Sequence, residues 1–374
     1  MSHIELRCPR CGISRPADMS AEACLDCGSP LNVAFIAGEP NHGHAVPSPV
    51  HDDSAKVTLG EGDTPCVHLT TLSGRLPLGK LYAKLEFLNP TGSFKDRGTA
   101  TMLSVAREHG VTELVEDSSG NAGASVSAYA ARAGIKSHIF VPADAPEAKL
   151  RQIKAYGTEV HPIEGLREAV TAAAIAYSRE HGLVYASHML SPYFAEGTKA
   201  FAYEVVRQFG EAMPEHVVFP VGNGSLLIGA FNGFKEQRDS GQIEKIPRLH
   251  CVQSRSVMPL VAAFNGEVWN PGSARKTVAG GISIAAPSRH WQILEILRLT
   301  GGSAVAVEES GILQMQRDLA EEEGIFAEPT SAAAFAGLEK LSEQGVINEG
   351  DTVLVPVTGF GLKDEPPPPV SPEK

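Results

Sequence analysis

From about residue 80 the chain alternates short apolar runs with longer amphipathic or alanine-rich runs, and this alternation narrows the possible folds more than any other feature. Leu81–Leu85 reads as a strand and Phe94–Glu108 as a helix closed by Gly110. Glu113–Glu116 is a second strand, and Ala122–Ala133 an alanine-rich helix stopped by Gly134. Strand Ser137–Pro142, helix Ala145–Tyr156, strand Thr158–Pro162, helix Leu166–Glu180 and strand Leu183–Ser187 continue the series. The second half brings strand His216–Val221, helix Leu226–Lys235 and strands Arg248–Gln253 and Ala304–Val307. Helices Ile312–Glu323 and Ser331–Glu343 and strand Thr352–Val357 complete it. Parallel neighbours need a helical crossover between them, so the expectation is an α/β fold. It would have two open, mostly parallel sheets, helices on both faces and a cleft between them. At 374 residues the chain has room for two or three domains.

The first 40 residues do not share this pattern. Cys8, Cys11, Cys24 and Cys27 form two Cys-x-x-Cys pairs among few large apolar residues. In a reducing compartment such pairs point to metal before disulfide. Gly12 and Gly28 follow the pairs directly, which suits knuckle turns that aim backbone amides at thiolates. The spacing predicts a small four-cysteine zinc-ribbon-like unit over residues 1–40. Its zinc would be structural, because four thiolates leave no position for water. The competing reading is a metal-free knuckle whose cysteines simply pack.

The formal net charge of −12 argues against a nucleic-acid or anionic-membrane partner, and Arg7, Arg10 and Arg15 make only a thin basic patch. No apolar run approaches the roughly 20 residues of a membrane span, and the first residues carry no apolar secretory core. The chain therefore reads as cytoplasmic. His42, His44 and His51 fall in a linker and read as solvated.

The richest segment is Asn89-Pro-Thr-Gly-Ser-Phe-Lys-Asp-Arg-Gly. A strand ends at the Pro-Thr-Gly turn and a helix begins, placing Lys95 in a first helical turn at the C-terminal edge of a sheet, where open α/β folds bind ligands. A helix N-terminus disfavours an ammonium, and a lowered pKa is what a Schiff-base lysine requires. A helix-start lysine alone is ordinary, but two further loops follow strands and open helices. Asp117-Ser-Ser-Gly-Asn-Ala-Gly offers small residues and hydroxyls suited to a carboxylate. Pro220-Val-Gly-Asn-Gly-Ser-Leu reads as a phosphate cradle, although it matches neither a Walker loop nor a dinucleotide fingerprint.

The Lys95 segment resembles the cofactor-lysine motif of the fold-type II (tryptophan synthase β-like) enzymes, which use pyridoxal 5′-phosphate (PLP), and is closest to their threonine synthase branch. The resemblance continues through Glu61-Gly-Asp-Thr-Pro, Ser118-Ser-Gly-Asn-Ala-Gly, Glu196-Gly-Thr-Lys, Gly222-Asn-Gly-Ser, Glu328-Pro-Thr-Ser-Ala-Ala and Thr358-Gly-Phe-Gly. It implies that Lys95 carries the cofactor and shuttles the α-proton, with Phe94 beside the ring. Asn121 would bond the cofactor's 3′-oxygen. Ser118, Ser119 and Gly120, with Asn121 and Ala122, would hold the substrate carboxylate. Gly222, Asn223, Gly224, Ser225 and Leu226 would bind the phosphate, and Thr358 would face the pyridine nitrogen. A neutral hydroxyl there leaves that nitrogen less firmly protonated, which favours β- or γ-chemistry over transamination. The implied organisation is a linker and the start of a large domain over 41–85, a small mobile domain over 86–200, a large phosphate-binding domain over 201–364 and a disordered tail over 365–374. A homodimer is the family's habit.

Two departures bear on the substrate. In Ser191-Pro-Tyr-Phe-Ala-Glu-Gly-Thr-Lys, Phe194 stands where threonine synthases carry an arginine for the substrate phosphate. Ala279-Gly-Gly-Ile-Ser-Ile-Ala-Ala-Pro is closer to a stretch of amino-acid dehydratases. Lys199 and Lys363 are the remaining basic candidates for a phosphorylated substrate. The expected reaction is γ-elimination of O-phosphohomoserine with water addition giving threonine. The alternatives are β-elimination or β-replacement on a serine- or threonine-type substrate, as in cysteate synthase-like or dehydratase-like relatives, and a non-catalytic binding protein that keeps the fold.

Overall fold

At the N-terminus β1 (Ile4–Arg7), β2 (Ser14–Pro16) and β3 (Asn32–Phe35) make an antiparallel sheet in the order β2-β1-β3. The structure, a computed structural model, describes residues 4–19, 23–36, 46–76, 78–165 and 167–363. The linker histidines His42 and His44, Leu166 and the tail 365–374 lie outside the described residues. Leu6, Cys8, Cys24 and Leu31 fill the small unit's interior, which is continuous with the core under the first long helices of the body.

β4 (Cys66–His68), α1 (Thr70–Arg75) and β5 (Lys80–Lys84) begin the body. The chain then builds α2 (Lys95–Glu108), β6 (Glu113–Glu116), α3 (Asn121–Ala133), β7 (Lys136–Pro142), α4 (Glu147–Ala155), β8 (Glu159–Ile163), α5 (Arg167–His181) and β9 (Val184–Tyr185). These four strands pair in parallel in the order β8-β7-β6-β9. α6 (Pro192–Thr198) and α7 (Ala200–Phe209) lead to β10 (His216–Pro220), α8 (Ser225–Asp239), β11 (Arg248–Ser254), α9 (Pro259–Phe264) and α10 (His290–Thr300). β12 (Ala304–Val307), α11 (Glu309–Glu323), α12 (Pro329–Glu343) and β13 (Thr352–Pro356) close the series. The larger sheet runs β12-β11-β10-β13-β5-β4, parallel except for the antiparallel edge strand β4.

The α/β expectation holds, and the expected strands and helices are present with shifted ends. β10 and β13 are runs of valine, leucine and phenylalanine buried on both faces, as parallel strands under helices must be. The sequence reading passed over α1, α6, α7, α9 and α10, and over the short strands β1 to β4, whose three or four residues are too few to show a period. α2 and α6 pack closely because Gly98 faces α6: a Cβ there would lie 2.6 Å from the Phe194 ring. No helix among the described residues is long and apolar enough to cross a membrane.

The start of α2 is pinned from two sides. Asp96 accepts from Thr91 N and Oγ1 at 2.6 Å each and from Ser125 Oγ on α3 at 2.7 Å. The buried Arg97 guanidinium donates to Glu86 (Nε to Oε2, 2.6 Å; Nη2 to Oε1, 2.8 Å) and to Glu204 on α7 (Nη1 to Oε1, 2.5 Å; Nη2 to Oε2, 2.7 Å). Lys84 Nζ donates to Glu204 Oε2 at 2.8 Å, and Thr64 Oγ1 to Glu86 Oε1 at 2.8 Å. Burial alone would raise the Glu204 pKa, but Arg97, then Lys84, pull it down to about 2.

Arg97→Met takes the guanidinium from two buried carboxylates, leaving Glu204 with Lys84 and Glu86 with the Thr64 hydroxyl, and a loss of about 3–5 kcal/mol in stability is expected from urea unfolding at neutral pH. A depressed carboxylate contributes fully above its unfolded value and loses that contribution as pH falls through its folded value. The difference between wild type and variant therefore shrinks between pH 4.5 and about 2.

Candidate active site

A cavity of about 390 Å³ opens where the C-terminal ends of β6, β7, β10 and β13 meet the start of α2. Its volume falls within the ordinary range for small-ligand sites. Phe94, Lys95, Ser118, Ser119, Gly120, Asn121 and Ala122 all line it, as do Gly222, Asn223, Gly224, Ser225, Leu226 and Thr358. The fold thus brings together every residue expected to hold the cofactor or the substrate carboxylate.

Lys95 Nζ lies 4.7 Å from the centroid of the Phe94 ring and 5.8 Å from that of Phe194. Burial pushes the Lys95 amine down to about 8, and the Glu116 and Glu328 carboxylates only partly oppose this. A lysine in that state is largely cationic at neutral pH yet gives up its proton far more readily than a surface lysine. The backbone around it is fixed by Phe94 N–H donating to Thr358 O at 3.0 Å, and by Phe360 N–H donating to Gly92 O at 3.1 Å.

Beyond β10 the chain turns through Gly224, at φ +78°, into the fifteen-residue helix α8, whose N-terminus carries no side-chain cap. A Cβ on Gly224 would lie 2.5 Å from Ile293 Cδ1, and one on Gly222 would lie 3.0 Å from Gly281 O. This loop offers backbone donors and no cation of its own, the form a phosphate cradle takes. The donor set, the buried amine and the cavity volume together fit a pyridoxal phosphate.

One carboxylate organises the opposite wall. Asn121 Nδ2 donates to Glu328 Oε2 at 2.8 Å, and Thr358 Oγ1 donates to Glu328 Oε1 at 2.9 Å. Ser331 Oγ lies 2.9 Å from Thr358 Oγ1 and accepts from Gly359 N–H at 3.2 Å. The Thr358 hydrogen is directed at Glu328, so Thr358 turns lone-pair density rather than a donor toward the cavity.

Glu116 and His188 carry groups that the sequence reading did not single out. His188 Nδ1 lies 2.8 Å from Glu116 Oε1. Burial, with the adjacent Asp117 charge, raises the Glu116 pKa. Burial, with the charges of Lys95 and Arg167, lowers that of His188. Both shifts favour a neutral pair. The available signal was positional: Glu116 is the last residue of β6, and His188 follows shortly after β9. Lys149, Gln152 and Arg167 also line the cavity and were missed.

Of the basic candidates for a phosphorylated substrate, Lys363 lines the cavity and donates to Asn121 Oδ1 at 3.0 Å. Lys199 does not line it: its ammonium is buried between Glu196 and Glu236, 2.7 Å from Glu236 Oε1. Phe194 is fully buried against Gly98 and likewise stays outside the lining.

The four N-terminal cysteines converge away from this cavity. Sγ atoms lie 3.4 Å apart for Cys8 and Cys27, 3.6 Å for Cys11 and Cys24, and 3.8 Å for Cys11 and Cys27. Zinc–sulfur bonds of about 2.3 Å in a tetrahedron put sulfurs roughly 3.8 Å apart. Gly12 N–H to Cys8 O and Gly28 N–H to Cys24 O, both 2.9 Å, close the two knuckles. The unit is tied to the cavity wall by Arg289, buried and pushed down to about 10 by desolvation. Its guanidinium donates to Leu31 O (2.9 Å) and Asn32 Oδ1 (2.8 Å) on one side and to Met189 O (3.2 Å) on the other. Met189 in turn accepts from Asn223 through its sulfur.

Residues 57–359 match a family model described as "Pyridoxal-phosphate dependent enzyme". The chain is 36% identical over 319 residues to a threonine synthase of Methanocaldococcus jannaschii, covering 84% of this chain and 78% of that protein. It is 36% identical over 317 residues to a threonine synthase of Mycobacterium bovis, covering 84% and 86%. Among solved structures, maize serine racemase superposes with a TM-score of 0.71 at 22% identity, covering 80% of this chain and 88% of that one. The processed form of threonine deaminase isoform 2 from Solanum lycopersicum does so at 0.69 and 22% identity, covering 82% and 85%.

Gly224→Ala places a Cβ in a left-handed turn and against Ile293. The variant is expected to fold with a lowered melting temperature and to bind PLP at least tenfold more weakly, read by fluorescence titration of the apoprotein.

Proposed function

The chain belongs to the pyridoxal-phosphate-dependent enzyme family as a threonine synthase-like lyase, and from that premise we propose that it converts O-phosphohomoserine and water to threonine and phosphate. The observation that carries this reading is the charge of the cavity: Lys149, Arg167 and Lys363 line it beside Lys95, and Glu328 is the single carboxylate among the described lining residues. The Gly222–Leu226 loop would take the cofactor phosphate on backbone donors, while Lys149, Lys363 and Arg167, the last paired with Asp117 at 2.9 Å, would set a positive field for a second anion.

When bound, PLP supplies an electron sink that makes the substrate α-proton removable. The protein's own groups do the rest. The Lys95 amine would take that proton and return it. Ser118, Ser119 and Gly120, with the N-terminus of α3 at Asn121 and Ala122, would orient the carboxylate. Thr358, its hydrogen held by Glu328, would offer an acceptor to the ring nitrogen, and Asn121 would bond the ring's oxygen. That acceptor suits a protonated nitrogen better than the bare hydroxyl assumed from the sequence. The neutral Glu116–His188 pair would keep an exchangeable proton beside Lys95 without adding net charge.

A second reading, β-elimination or β-replacement on a serine- or threonine-type substrate, draws support from Phe194, which puts an apolar ring beside Lys95 and against His188 where an arginine was expected. We propose further that Cys8, Cys11, Cys24 and Cys27 hold one structural zinc, and that the enzyme acts as a cytoplasmic homodimer on a small amino-acid substrate with no nucleic-acid partner.

Phosphate release from O-phosphohomoserine should exceed release of phosphate, ammonia or 2-oxo acid from O-phosphoserine, serine and threonine. The reverse order selects the second reading. Removing a charge-assisted contact of about 1.5–3 kcal/mol should raise KM for the phosphorylated substrate some ten- to hundredfold in Lys149→Ala and Arg167→Ala, with a smaller change in kcat. For the cysteine unit, metal analysis should find zinc that Cys27→Ser loses, and that variant should unfold at a lower temperature than wild type.

A further inference from the structure

On the four-stranded sheet, away from both the cavity and the cysteines, strands β7 and β8 bring two imidazoles and a carboxylate together. The parallel register sets His138 opposite Glu159, and Phe140 opposite His161. His138 Nδ1 lies 3.1 Å from His161 Nε2 and 3.6 Å from Glu159 Oε2, while His161 Nε2 lies 3.5 Å from Glu159 Oε1. Nitrogen and oxygen ligands at about 2.0–2.2 Å in a tetrahedral sphere stand roughly 3.3–3.6 Å apart. The two nitrogens and the two carboxylate oxygens, each nitrogen facing one oxygen, therefore lie close to the spacing a metal would impose.

We propose that His138, His161 and Glu159 form a second metal site, binding a divalent transition cation of the zinc class. The far side of His138 supports this: its Nε2 lies 3.1 Å from Glu113 Oε2, which fixes the proton on Nε2 and turns the Nδ1 lone pair toward His161 and Glu159. A carboxylate on the outer nitrogen is the usual companion of a metal-bound imidazole. Without a cation, the 3.1 Å contact requires His161 to donate its Nε2 hydrogen to His138. With one, His161 moves that hydrogen to Nδ1, and both lone pairs face the ion.

The surroundings suit a partly open site. The His138 side chain is 1% exposed, that of His161 22% and that of Glu159 50%, so water has a path to a fourth position. Phe140 stacks on His161 at 4.5 Å, and the Tyr177 ring lies 5.2 Å from His138, walling the inner side. Lys136 Nζ lies 3.2 Å from Glu159 Oε2 and 3.8 Å from Glu113 Oε2, and its half-exposed side chain can swing away as an ion enters. β8 is an edge strand paired only with β7, so an ion here would staple the edge of the sheet.

The test uses the full-length, PLP-loaded protein, stripped of metal by chelation, given one equivalent of zinc for the four cysteine thiolates and then titrated with Co²⁺ by absorption spectroscopy. Expected is one equivalent bound with ligand-field bands, no thiolate charge transfer and a rise in melting temperature. His161→Ala and Glu159→Gln should each weaken binding at least tenfold, and Glu113→Ala, which removes only the outer acceptor, should weaken it ten- to hundredfold. Glu159 is half exposed, so its variant remains informative should the histidine variant fold poorly. Absence of this cobalt, thiolate charge-transfer bands in its spectrum, or binding unchanged in the Glu159 and His161 variants would overturn the proposal.

Discussion

The buried Arg97 guanidinium is the contact on which the rest of the site depends. It joins Glu86, in the turn after β5, to Glu204 on α7, and so ties the start of α2 to two segments packed on the larger sheet. Such a pair gains little over a well-packed apolar core, because desolvation cancels much of the attraction. Its use lies in direction. A planar fork with paired bonds to two carboxylates leaves the first turn of α2 only one orientation. Asp96, bound to Thr91 and Ser125, fixes the same turn from the other side. Lys95 sits between these anchors, and its side chain is the one left to enter the cavity.

The cavity inverts the charge of the molecule around it. The chain carries a net charge of −12, yet the cavity gathers Lys95, Lys149, Arg167 and Lys363. A recessed group of cationic side chains attracts small anions through local field rather than net charge. Burial disfavours charge on both members of the Glu116–His188 pair, so the pair adds little to the field of the cavity.

Much of this was legible in the order of residues. β6 and β12 fall on their expected residues, because short apolar runs between helices carry a plain period. The glycine-rich turns after strands gave the cavity's outline. The features that escaped share a cause: they depend on which strands become neighbours. Glu116 and His188 are far apart in sequence and meet only because β9 lies beside β6. His138 and His161 face each other only in the register of β7 on β8. Lys199 erred in the other direction. It follows a family motif and looked available, but the fold turns it into a buried ion pair, which no local pattern announces.

Arg289 gives the N-terminal unit a standing that its size conceals. Deleting the first 35 residues would strip Leu31 and Asn32 from a guanidinium whose partners among the described residues include no carboxylate, and would open it to water beside Met189. The small unit is thus a keystone rather than an ornament. A shortened chain would begin with an opening beside Met189 in the cavity wall, and a chain without this unit would call for a different residue at position 289.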